Sequence, residues 1–104
     1  MIVVTTDFVP GKKIVKTLGI AKGNTIRARH IGHDLAAFLR NLVGGEIRDY
    51  TKMMAESREQ AIDRMVEDAR QMGANAVVNV RFTTSMIMQM ASEILVYGTA
   101  VIVE

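Results

Sequence analysis

Between Glu46 and Val80 the apolar period of the sequence switches once, from about 3.6 residues to 2, and that switch limits what the chain can fold into. Ile47, Tyr50, Met54, Ala61, Met65, Ala69 and Met72 fall on one face of a helix, with Arg58 interrupting the stripe. Gly73 supplies a residue able to take the left-handed conformation of a helix C-cap, and Arg70 places a cation in the last turn, where it suits the helix dipole. Beyond it, Ala76, Val78, Val80 and Phe82 alternate with Asn75, Val77, Asn79 and Arg81. This predicts a strand that returns beneath the helix with its even positions inward. A long helix joined by a glycine stop to a buried strand is an α+β arrangement.

A chain of 104 residues is expected to form a single domain, residues 1–104, and a domain of this size buries only about 60 to 70% of its unfolded surface. Yet 49% of the residues are hydrophobic, an excess that association with further copies would absorb. No apolar run approaches the roughly 18 residues of a membrane span, and the start, Met1-Ile2-Val3-Val4-Thr5-Thr6, lacks the basic flank of a signal peptide. The expected location is therefore the cytoplasm. The absence of cysteine excludes disulfides, thiolate metal sites and a cysteine nucleophile. The net charge is only +2, but the first 29 residues carry Lys12, Lys13, Lys16, Lys22, Arg27 and Arg29 against Asp7 alone. On the long helix the signs mix, with Lys52 and Glu56, and Arg64 and Asp68, four apart.

Ahead of the helix, Ile2 to Thr6 reads as a short strand, and Val9-Pro10-Gly11-Lys12 as a turn with Pro at the first central position and Gly at the second. Ile14 to Ala21 and Thr25 to His30 are expected to pair as a hairpin around Lys22-Gly23-Asn24. A three-residue loop with a bulge would set Ile20 opposite Ile26. Asp34 is placed to start a short helix with Leu35, Phe38, Leu39 and Leu42 on one stripe, ended by Gly44-Gly45. Thr83 to Ala91 has weak patterning and is expected to be a turn or irregular excursion. The last strand, Ile94 to Val103, is apolar on both sides: Ile94, Val96, Ala100 and Ile102 on one, Leu95, Tyr97, Val101 and Val103 on the other. One helix layer covers a single face, so the second is expected to meet another copy. Gly98 in mid-strand points to a bulge or a close backbone approach.

Nearly end to end, the sequence resembles the YbjQ-like family. The resemblance is carried by Ile14-Val15, Leu18-Gly19 and Gly23, by Asp34 with Leu42-Val43-Gly44-Gly45, by Tyr50, by Ala69-Arg70-Gln71-Met72-Gly73-Ala74-Asn75-Ala76-Val77-Val78, and by Gly98-Thr99-Ala100-Val101. The chain departs from the family at Asn75, where an aspartate is common. The resemblance implies a dodecin-subunit-like β-β-α-β-β fold, an antiparallel sheet with one long helix across it and a short preceding helix. It also implies assembly into a homopentameric ring. The family is often labelled heavy-metal-binding, its biochemical role is unsettled, and it brings no agreed functional residues.

Candidate chemistry is sparse. His30 and His33, three apart and next to Asp34, have the ligand type that suits zinc or copper, against the alternative of two histidines solvating a turn. Met86, Met88 and Met90 place thioethers at alternate positions, a soft set for Cu(I), against the alternative of adaptable packing in a chain with eight methionines. The basic first strands favour a solvated face over nucleic acid, because supporting aromatics are missing. Glu59, Asp63 and Glu67 share one side of the helix, and the plainer reading of such a row is an exposed acidic face. Neither a nucleophile motif nor a phosphate-binding glycine loop is present. The expectation is a non-enzymatic, cofactor-free, ring-forming protein with a small ligand held between subunits. A metal-binding protein using those histidines or methionines is the alternative.

Overall fold

The computed structural model describes residues 1–28, 46–88 and 91–104. They form strand β1 (Ile2–Val3), strand β2 (Ile14–Ala28), helix α1 (Glu46–Gln71), strand β3 (Ala76–Met88) and strand β4 (Ala91–Val103). The short helix expected from Asp34 lies outside these residues.

The four strands make one sheet in the order β1-β3-β4-β2. β3 and β2 both run antiparallel to the central β4, whereas β1 runs parallel to β3, so the sheet is mixed rather than wholly antiparallel. The first strand is also shorter than the expected Ile2 to Thr6. The turn that follows forms as expected: Gly11 has φ +78° and the Lys12 N–H reaches the Val9 carbonyl at 3.0 Å.

Helix α1 lies across β4 and β2. Ala61, Met65 and Ala69 are fully buried beneath it, and Met54 and Met72 are partly buried. The stripe is not interrupted at its middle. Arg58 is exposed and the neighbouring Ser57 takes the inward position, its hydroxyl donating to the Met53 carbonyl while its own carbonyl accepts the Thr25 hydroxyl. At the C-terminus Gly73 has φ +90°, its N–H donates to the Arg70 carbonyl at 3.0 Å, and the Ala74 N–H donates to the Ala69 carbonyl at 3.1 Å. That pair of bonds is a Schellman closure, which satisfies carbonyls the helix would otherwise leave open.

No hairpin forms at Lys22-Gly23-Asn24; β2 runs through it, with Ile20 paired to Thr99 and Ile26 to Glu93. Gly23 is there for a different reason. A Cβ built on it would drive into the Ala61 carbonyl and the Met65 amide, so the glycine lets the helix backbone rest directly on the strand. Gly98 has a similar role on β4, where a Cβ would lie 2.7 Å from Val77 Cγ1 and 2.9 Å from the Val78 carbonyl.

The inward face of β3 also differs from expectation. Val77 and Val80 pack beneath the helix, whereas Ala76 and Val78 belong to a second cluster with Val9, Val101 and Val103. Asn79, at φ +55°, breaks the alternation: the register against β4 shifts between Val78 and Arg81, and parity reverses. The Asn79 N–H turns to the Thr6 carbonyl at 2.9 Å, which ties the bulge to the N-terminal segment. That segment solves part of the two-faced problem of β4. Val9, with Ile2, Val4 and Ile14, covers Val101 and Val103 from within the same chain, leaving only Leu95 and Tyr97 of that face open.

Beyond the bulge, β3 continues to Met88 alongside β4 from Ala91, with one register shift between Met86 and Met88, and β2 flanks β4 on its other side. The described part of the stretch expected to be irregular is therefore an extended arm of the sheet with β3 at its edge. The threonines and serine that weakened its apolar pattern are exposed strand residues.

Candidate functional site

The outer edge of β2 is the place where helix side chains reach strand backbone. The Lys22 N–H donates to Asp68 Oδ2 at 2.9 Å, and Arg64 Nη1 donates to the Asn24 carbonyl at 2.6 Å. Residues 64 and 68 are one helical turn apart and residues 22 and 24 share one strand edge, so the two periodicities match here. On the sheet, the Asn24 amide donates to Glu93 Oε2 at 3.0 Å. Around this clasp runs an open groove of about 620 Å³, lined by Lys22, Asn24, Arg64, Asp68, Gln71 and Glu93 among others. Its lining can hold a polar or charged ligand by hydrogen bonds. Glu67, also on the groove, pairs with Arg70 at 2.9 Å on the exposed helix surface. With Glu59 and Asp63 it makes the exposed acidic row expected from the sequence.

Of the proposed metal ligands, only the Met86 side chain is among those described, and it does not line this groove. Met86 is 79% exposed on the far strand. The β3–β4 register slips between Met86, paired with Ser92, and Met88, paired with Ala91, which interrupts the simple alternation on which the thioether row depended. Met90, His30, His33 and the Met88 side chain lie outside what is described. Among the described residues, no three His, Asp or Glu side chains are grouped as a metal ion would require. No described helix is long and apolar enough to cross a membrane.

Sequence reasoning did not single out Lys22 and Asn24 as parts of a site. Both were assigned to a loop. The one available signal was the match between the four-residue spacing of Arg64 and Asp68 and the two-residue spacing of Lys22 and Asn24.

A family model described as "Putative heavy-metal-binding" matches residues 1–104. A UPF0145 protein of Methanosarcina acetivorans is 62% identical over 101 residues, covering 97% of this chain and 95% of that one. A UPF0145 protein of Dehalococcoides mccartyi strain BAV1 is 59% identical over 104 residues, with each chain covered completely. One from Pyrococcus horikoshii is 57% identical over 104 residues, covering all of this chain and 89% of that one. Among solved structures, a protein of unknown function from Pediococcus pentosaceus, placed in the DUF74 family, superposes with a TM-score of 0.70 at 12% identity. The match covers 100% of this chain and 98% of that one, and it establishes the shared fold.

Proposed function

Because the chain belongs to the YbjQ-like (UPF0145) family, we propose from its geometry that it is a non-enzymatic cytoplasmic protein that closes into a homo-oligomeric ring and holds a small ligand between subunits. The observation that carries this reading is the sheet outrunning its cover. Phe82, Met86 and Ile87 on β3, and Ile20 and Ile26 on β2, are all exposed, at 48, 79, 48, 68 and 59% respectively.

The shape agrees. The subunit measures 55 × 23 × 16 Å with a radius of gyration of 17.3 Å, against about 13 Å for a compact chain of this length. Its accessible surface of 6985 Å² exceeds the roughly 5,800 Å² of a folded monomer of similar size. The exposed side chains on β3 beyond the bulge and on β2 lie at opposite sides of one sheet and suit a head-to-tail contact by side-chain packing, and such a contact gives a ring when its rotation closes. Five copies is the number that the family resemblance implies.

Native mass spectrometry with sedimentation velocity tests the assembly. The expected result is a closed oligomer at micromolar concentration, burying upwards of about 2,000 Å² per interface. A monomer at that concentration overturns the ring.

The metal reading is supported by the family's description and by the exposure of Met86. It stands if reduced copper titrates the apo protein saturably below micromolar, and falls if no such binding is seen.

A further inference from the structure

The pairing of three strands brings together residues far apart in sequence. Tyr97 on β4 pairs with Lys22 on β2 and with Arg81 on β3, so the three form one row across the sheet. The neighbouring pair, Ala21 with Gly98, is buried under the helix, so the row, one residue along, lies on the opposite face. Here the cover supplied by the N-terminal segment has ended, and Tyr97 is 39% exposed with Lys22 and Arg81 both exposed. An aromatic ring between two cations, spread over about 10 Å of open sheet, is a surface with a base-stacking plane and a phosphate-binding end.

From this row we propose that the small ligand of the ring reading is a nucleoside monophosphate, its base stacked on Tyr97 and its phosphate on Arg81. The inference rests on the ligand half of that reading. Two observations orient the ligand. The carboxylates Asp68 and Glu93 gather at the Lys22 end, beside the groove, so an anion is directed to the other end. Arg81 is held in place: its Nη1 donates to the Thr5 and Val80 carbonyls, each at 2.9 Å, and those bonds spend only one of the three guanidinium nitrogens. A guanidinium anchored in this way suits bidentate phosphate recognition. Lys22 balances the acidic end and borders the far edge of the base, while the ribose spans from Tyr97 towards Arg81.

The test is calorimetric titration of the intact protein with adenosine 5′-monophosphate, with adenosine and ribose 5-phosphate as half-ligand controls. Saturable binding of the nucleotide below millimolar is expected, at least tenfold tighter than either half. Tyr97→Ser should weaken it about tenfold or more and Tyr97→Phe should retain it, because the ring and not the hydroxyl is used. Arg81→Gln should cost more than Lys22→Gln, and Arg81→Lys should restore part of the loss. No binding at millimolar nucleotide, equal affinity for ribose 5-phosphate, or an unaffected Tyr97→Ser variant would each overturn the assignment. Binding of oligoadenylate without binding of the mononucleotide would overturn it too. Native mass spectra of the same samples separate the two ideas: a monomer that binds through Tyr97 removes the ring and keeps the nucleotide, and a ring that binds nothing does the reverse.

Discussion

The two ends of the β3–β4 ladder are built from the same backbone pairing and differ in almost everything else. At the base, Ala76 to Val78 and Val101 are buried on both faces, by the helix on one side and the N-terminal segment on the other. Along the arm every residue from Arg81 to Ile87 is exposed, although the pairing with β4 continues. The helix covers β4, β2 and the base of β3 as far as Val80, and beyond it the side chains of β3 find no apolar cover among the described residues. The base is therefore stabilised by burial inside one chain, whereas along the arm β4 keeps its buried Ile94 and Val96 and β3 has only the ladder. This makes the outer part of β3 the kind of segment that opens first when a subunit stands alone.

Substitutions can pull the two ends apart. The largest effect is expected from Val101→Asp, which puts an unpaired charge where the side chain is 1% exposed. It should cost about 3 to 5 kcal/mol and unfold the subunit, whereas Leu95→Asp on the half-open part of the same face should leave subunit stability within about 1 kcal/mol and change the oligomeric state instead. Denaturant titration and sedimentation of both variants check this; equal destabilisation would erase the distinction between base and arm. Gly23→Val should cost about 3 kcal/mol by forcing helix α1 off β2, since the colliding atoms are backbone and cannot yield as a side chain would. Thermal unfolding measures it, and a stable variant would mean that the helix does not rest on the strand.

The smallest effect sharpens the base. Asn75 pairs with Val103 like an extra ladder rung, its Oδ1 accepting the Val103 N–H and its Nδ2 donating to the Val103 carbonyl, both at 2.8 Å. Asn75→Asp keeps the acceptor and loses the donor, which should cost about 1 to 2 kcal/mol in a urea titration at neutral pH. Full stability in the aspartate variant would show that the carbonyl finds another donor.

Local rules were enough to read the helix, its stop at Gly73 and the valine-rich start of β3, because each depends on neighbours in sequence. Gly23 was misread because a glycine beside an asparagine satisfies a turn as readily as a close helix crossing, and the second partner, Ala61 to Met65, lies about forty residues away. Asn79 hid the reversal of parity in β3, since a left-handed asparagine leaves no mark on an alternating pattern. The arm was missed because exposed Thr83, Thr84 and Ser85 carry no hydrophobic period. The Lys22, Tyr97 and Arg81 row required the register of three strands at once, and the hairpin expected at Gly23 would have placed Lys22 in a loop.

The clasp at the rim of β2 also bears on solubility. A free strand rim offers amides and carbonyls in a fixed rhythm, which invites any passing strand to dock and then to recruit another. By supplying one carboxylate and one guanidinium at the spacing of that rhythm, Asp68 and Arg64 occupy the positions at Lys22 and Asn24 that a foreign strand would need. A visiting strand therefore has to displace two charge-assisted bonds before it can register, and runaway stacking into fibrils is resisted at the middle of the rim.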